Sequence, residues 1–235
     1  MRSLGFFALL FSLAVPVSLR AQDGAMSVQL LGMVSFAFER PGLQVPKFTM
    51  HIGEDGLGSY QGEEAPPTSP YPGVSSLTAP IDRSFSISAA TAHKIFALAH
   101  DLHNFNTACA SKARNIADTG KKTLLYKGPD GEGSCTYNYS ENKSVSQLTE
   151  IFLGISATMD TGRELDHLHR YDRLGLDAAL ASLAQQVSQG HALELGTIEA
   201  TLRSIAADTD VMQRARTRAD ALLALVPADT RQTSP

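Results

Sequence analysis

Cys109 and Cys135 are the only cysteines in 235 residues, and the stretch that holds them constrains the rest of the chain. Ser84 to Tyr139 reads as a strand, an amphipathic helix, a polar connection and a hairpin. One cysteine follows the helix and the other lies in the last strand of the hairpin. A Cys109–Cys135 bridge closes a loop of about 27 residues, and in the chain-entropy model it stabilises the fold by about 3–4 kcal/mol. The alternative is two separate buried thiols. Neither cysteine has the surrounding motif of a nucleophile.

Disulfides persist in oxidising compartments, and the first residues offer a route to one. Met1 and Arg2 make a short positive start, Leu4 to Val17 is almost wholly apolar, and Ser18 to Ala21 precedes a polar turn at Gln22 to Gly24. This is the pattern of a secretory signal peptide over residues 1–21, with cleavage near Ala21. It is too short to cross a bilayer. The absence of a following cysteine argues against a lipid-anchored lipoprotein. The expected location is therefore secreted or periplasmic.

Removing Met1 to Ala21 takes away Arg2 and Arg20 and no acid, leaving 18 Lys+Arg against 24 Asp+Glu, a net charge of −6. That balance argues against nucleic acid, which is bound by a concentrated basic surface. No later segment has eighteen uninterrupted apolar residues, so no membrane span is expected in the mature chain.

Period-two alternation marks Ser35 to Glu39 and Phe48 to Ile52 as strands. Asp55-Gly56 supplies the positive φ of a tight turn before a returning strand, Leu57 to Gln61. Thr49 and His51 fall on the solvent face. Residues 62–82 carry five prolines and read as a long loop. A strand at Ser84 to Ile87 leads to Ser88, a cap for a helix with Ala92, Ile95, Phe96, Ala99 and Leu102 on its buried stripe. A second hairpin runs from Thr123 to Tyr139 around Gly128 to Gly133.

From Ser144 onward the periodicity is helical. Leu148, Ile151, Phe152, Ile155 and Met159 mark one face, and Gly154 and Gly162 predict a bend or break near Thr161. Asp177, Thr197 and an Asp210/Gln213 capping box are expected to start three further helices, with Gly190 ending the first of them. The predicted organisation is a signal peptide (1–21), an α+β domain (22–160), a helical region (161–226) and a polar tail (227–235). The α+β domain is expected to hold an antiparallel sheet of five or six strands with helices on one face. Its core would bury Phe36, Phe38, Phe48, Ile52 and Leu124 against Ile95, Phe96 and Leu148.

The run FTMHIGEDGLGSYQG followed by SFSISAATAHKIFAL resembles a family of uncharacterised exported bacterial proteins. They share a D-G-x-x-x-Y hairpin, a strand, a helix and a second hairpin. The resemblance covers Phe48 to about Met159 and implies a fold and an export route, with no catalytic residue to carry over.

Histidine is the main source of candidate chemistry. His100 and His103, with Asp101 between them, could share a metal from one helix, although a solvated helix face is the simpler account of them. His167 and His169 diverge on a regular helix, so both chelate one metal only if the helix ends there. The run from Arg163 to Arg173, with Asp166, His167 and Arg170, reads as a charged interaction surface held by Glu164–His167 and Asp166–Arg170 pairs. Asp55 and Asp130 sit in hairpin turns lacking the further oxygens of a calcium loop. Asn138 and Asn142 begin glycosylation sequons whose use depends on the host. No H-E-x-x-H, G-x-S-x-G, Walker-A or dinucleotide motif occurs, and no cofactor is implied. The expected function is an exported, soluble, non-enzymatic binding or scaffold protein with a protein or cell-envelope partner. It would engage that partner through an open sheet edge or the charged helix. The alternative is a metal-assisted hydrolase using His100, His103, His167 or His169.

Overall fold

The computed structural model describes residues 31–65 and 80–228. The leader, most of the proline-rich loop and all but the start of the tail lie outside the described residues. Six strands form one antiparallel sheet: β1 (Met33–Glu39), β2 (Lys47–Gly53), β3 (Leu57–Glu63), β4 (Pro80–Ser86), β5 (Lys121–Gly128) and β6 (Gly131–Tyr137). Their order is β4-β3-β2-β1-β5-β6. The first four make a meander, and α1 (Ala89–Asp101) carries the chain across to the other side of β1, where the β5–β6 hairpin pairs. The ladder extends to Glu63 and Pro80, into the ends of the stretch expected as loop. Pro80 is tolerated because it opens an edge strand, where a missing N–H breaks no inner ladder.

Alternation puts Phe36, Met50, Tyr60, Leu124 and Cys135 in register on one face. The helices α1 and α2 (Lys143–Tyr171) cover that face, and the aromatic and aliphatic residues expected in the core are buried there. Phe36 stacks on Phe152 of α2 with ring centroids 4.9 Å apart. The opposite face carries Ser35, Thr49 and His51; Ser35 Oγ and His51 Nδ1 are 2.7 Å apart.

α2 is one continuous helix across Gly154 and Gly162, which corrects the expected break. The glycines serve close approach instead. A Cβ at Gly154 would meet Leu193 Cγ at 2.8 Å, and one at Gly162 would overlap the Ile198 side chain. Leu193 N–H donates to the Gly154 carbonyl, and Thr158 Oγ1 donates to the Leu193 carbonyl at 2.6 Å. Positions 154, 158 and 162 thus form a stripe on α2 where the C-terminal helices dock. Those helices are α3 (Leu176–Ser188), α4 (Glu199–Ala207) and α5 (Gln213–Leu223). They enclose a second core with Leu165, Leu180, Leu202 and Leu222. The boundary expected at 160/161 falls between the two cores, inside the helix that joins them.

Caps that depend on tertiary partners differ from the sequence reading. Ser88 caps α1 through the Thr91 amide as expected. Asn142 caps α2 by accepting from the amides of Ser144 and Val145. Asp177 lies inside the first turn of α3 and pairs with Arg214 and Arg218. Thr197 precedes α4 and returns its hydroxyl to the Glu194 carbonyl, while α5 starts after Met212, which supplies no side-chain cap.

Cys109 and Cys135 form a disulfide. It clamps the segment after α1 along the outer edge of β6. Asn106 Nδ2 donates to the Glu132 carbonyl, and Ser111 N–H donates to the Tyr139 carbonyl. His103, Asn104 and Phe105 all adopt positive φ, so the chain reverses sharply beside Gly133. A Cβ at Gly133 would collide with the Asn104 carbonyl. The β5–β6 turn is therefore only Pro129 and Asp130, and Gly131 and Gly133 belong to β6. The β6 edge is covered against further strand pairing.

Candidate functional site

A cleft of about 630 Å³ opens between α2 and the near ends of β1, β5 and β6, with the 40–46 connection as its other wall. Ser146, Glu150, Leu153, Ala157 and Asp160 follow one another at helical spacing along its α2 side. Ser146, Ser156 and Ala157 are small, which leaves the space open. Phe38, Leu43, Val45, Phe48 and Tyr139 supply the apolar surface.

At one end sits Lys122, only 5% exposed although it occupies a core-facing position of β5 opposite Phe38 and Tyr137. Its Nζ donates to the carbonyls of Thr119 (2.9 Å), Gly120 (3.0 Å) and Asn138 (2.8 Å), with Thr119 Oγ1 at 3.0 Å. The rings of Phe38 and Tyr137 flank the ammonium at 5.7 and 6.0 Å. Burial lowers its affinity for a proton below that of an ordinary lysine. The charge fastens the strand ends that frame the cleft.

Beside it, the Tyr137 hydroxyl meets Thr149 Oγ1 at 2.6 Å, and Thr149 donates onward to the Val145 carbonyl. Thr149 has one proton to give, so Tyr137 is the donor of the first bond. Burial pushes the Tyr137 phenol up to about 12.

The far end is closed by Asp160. It accepts from Arg163 at 2.7 Å and from the Tyr60 hydroxyl at 3.4 Å, and Arg163 reaches Glu64 at 3.2 Å. Burial raises the Asp160 carboxyl, with the Arg163 charge opposing that shift. Burial also pushes the Tyr60 phenol up to about 12. The chain from β3 to α2 thus ends in a partly buried ionic lock.

The candidate residues from the sequence fall in several places. Arg163, Asp166, His167 and Arg170 line one small pocket of 290 Å³ together with Glu64, Arg83 and Tyr171. His169 and Arg173 turn the other way, to Asp208 at 2.8 and 3.4 Å, tying α2 to the C-terminal helices. The expected Glu164–His167 and Asp166–Arg170 pairs do not form; Arg163–Asp160 and Arg163–Glu64 hold the helix side instead.

His100 lies 3.0 Å from Asn104 Oδ1 and 3.4 Å from Asp130, whose carboxylate also receives the Tyr126 hydroxyl. His103 stands beyond the end of α1 with φ of 52°, so it does not share a helix face with His100. Asp101 accepts from Ser144 Oγ at 2.7 Å. Among the described residues no group of three or more His, Cys, Asp or Glu side chains is placed to hold a metal ion.

Asn138 receives the Thr119 amide and donates to the Ala117 carbonyl, so both sequon asparagines have structural partners. Lys122, Tyr60 and Asp160 were not singled out by the sequence reading. The available signal was a lysine at an apolar position of an alternating strand. Among the described residues no helix is long and apolar enough to cross a membrane. A scan against protein-family models finds no match, and a search of the curated proteins finds none either.

Proposed function

We propose that this is an exported binding protein, acting in the periplasm or outside the cell, that receives the apolar part of a protein or cell-envelope ligand in the cleft along α2. The observation that carries the reading is the cleft's construction: an aromatic and aliphatic floor bounded by a few fixed polar groups, at a volume typical of ligand sites. Its ionisable end groups are engaged in framing it. Lys122 is saturated by main-chain and hydroxyl oxygens, and Asp160 by Arg163 and Tyr60. Export is supported by the leader pattern and by the disulfide, which oxidising compartments preserve. Because the disulfide-clamped segment covers the β6 edge, recognition is assigned to the cleft instead of strand addition there.

The test uses 8-anilinonaphthalene-1-sulfonate as an apolar probe on the natively folded mature chain. One saturable site is expected, weakened about tenfold or more by Ala157→Phe, which fills the cleft, with an unchanged melting temperature. Equal binding by both proteins, or no saturable binding, overturns the reading.

A further inference from the structure

Arg163 has its guanidinium engaged on two sides, by Asp160 and by Glu64. Arg83 on β4 and Arg170 on α2 line the same pocket, are exposed, and have no hydrogen-bond or ion-pair partner among the described residues. Of the three arginines lining this pocket, Arg163 is already paired, which leaves the guanidiniums of Arg83 and Arg170 as two open forks among the described residues. A planar carboxylate suits such forks, which offer paired N–H donors in a fixed geometry. The pocket also holds Asp166, likewise without a partner among the described residues, and the ring of Tyr171, 76% exposed and 5.0 Å from that of His167.

We propose that the pocket between β4 and the C-terminal half of α2 recognises the carboxylate of an acidic side chain in a partner polypeptide, held by Arg83 and Arg170. Asp166 receives a backbone N–H beside that side chain, and Tyr171 with His167 supports the chain's apolar surface. A polymer with an acid on every unit fits poorly, because Glu64 and Asp166 repel its neighbouring charges. A peptide places one acid among neutral, N–H-bearing units and meets both signs of the pocket. This pocket shares no lining residue with the apolar cleft, although Arg163 bonds to Asp160 at the cleft's end.

The full mature chain is titrated with acetyl-Ala-Glu-Ala-amide, its Gln counterpart, and trigalacturonate, following the arginine Nε–Hε signals by NMR. Saturable shifts are expected at Arg83 and Arg170 with the Glu peptide, at least about tenfold weaker binding of the Gln peptide, and little shift at the engaged Arg163. Arg83→Gln/Arg170→Gln, checked for an unchanged melting temperature, is expected to abolish the response. Uniform shifts at every exposed arginine, or none, overturn the site. Tighter binding of trigalacturonate than of the Glu peptide overturns its assignment to a polypeptide. Loss of the apolar-probe binding alone leaves these outcomes unchanged, so the two readings fail separately.

Discussion

Ser88 donates its backbone N–H to Glu194 Oε2 at 2.8 Å across 106 residues of sequence. Its hydroxyl reaches the other carboxylate oxygen at 2.8 Å, and the Thr91 hydroxyl joins them. A carboxylate therefore sits at the positive end of α1, where orphan amides and the helix dipole both favour it. Glu194 holds a left-handed backbone to reach this position, with φ of 57°. Together with the Gly154 and Gly162 contacts, this bond joins the helical unit to the sheet.

Removing the carboxylate leaves the Ser88 amide and two hydroxyls to compete for poorer partners. Glu194→Ala is expected to lower stability by about 1–3 kcal/mol, and Glu194→Gln by less because it keeps an acceptor. Urea unfolding checks this; equal midpoints for wild type and Glu194→Ala would disprove the link.

The seat of Ile198 on α2 admits no Cβ. Gly162→Ala is expected to cost about 1–3 kcal/mol by overpacking. Adding Ile198→Ala should recover part of that loss, so the double variant is more stable than the summed single effects require. Strict additivity in a double-mutant cycle would mean that the two residues do not share this contact.

Cys109→Ser/Cys135→Ser is expected to lose about 3–4 kcal/mol through the larger entropy of the unfolded chain. The segment along β6 should also become more protease-sensitive, since it loses its one covalent tie and keeps only non-covalent ones such as the Asn106 and Ser111 bonds. A midpoint unchanged by the substitutions would show that the bridge contributes nothing at equilibrium.

Acid should unfasten the helical unit at Asp177. Hydrogen bonds from Arg218 and then Arg214 hold its carboxyl below the ordinary value of 3.8. A depressed folded value means the unfolded chain binds protons more readily. The stabilisation is therefore present above about pH 4 and is lost as pH falls through the folded value. Asp208, held down first by His169, has the same sign. Urea midpoints measured from pH 7 to below 3 are expected to fall less steeply for Asp177→Asn; parallel curves would contradict the assignment.

Much of the architecture was legible because it is local. Alternation at Phe36, Phe38, Phe48 and Met50 places one strand face in a core whatever the neighbours are. The same holds for the helical stripe of Ile95, Phe96 and Ala99, and for the Ser88 cap, whose acceptor and donor lie three residues apart. The glycines of α2 read as weak points because intrinsic propensity is all that a single helix reveals. Their use appears only once Leu193 and Ile198 arrive from 39 and 36 residues further along the chain. Asp177 and Asn142 illustrate the same limit: a short polar side chain can cap or pair, and distant arginines settled the choice for Asp177.

From its residues alone the chain determined that it would build an antiparallel sheet covered on one side and carry a helical tail-end unit. Periodicity and turn chemistry act over a few residues, so they survive without tertiary knowledge. Only the folded arrangement decided that Lys122 would be caged by main-chain oxygens, that the charged stretch of α2 would split between two partners, and that Arg83 and Arg170 would line one pocket. These depend on side chains converging from separate elements, and convergence is set by packing geometry that no local pattern encodes.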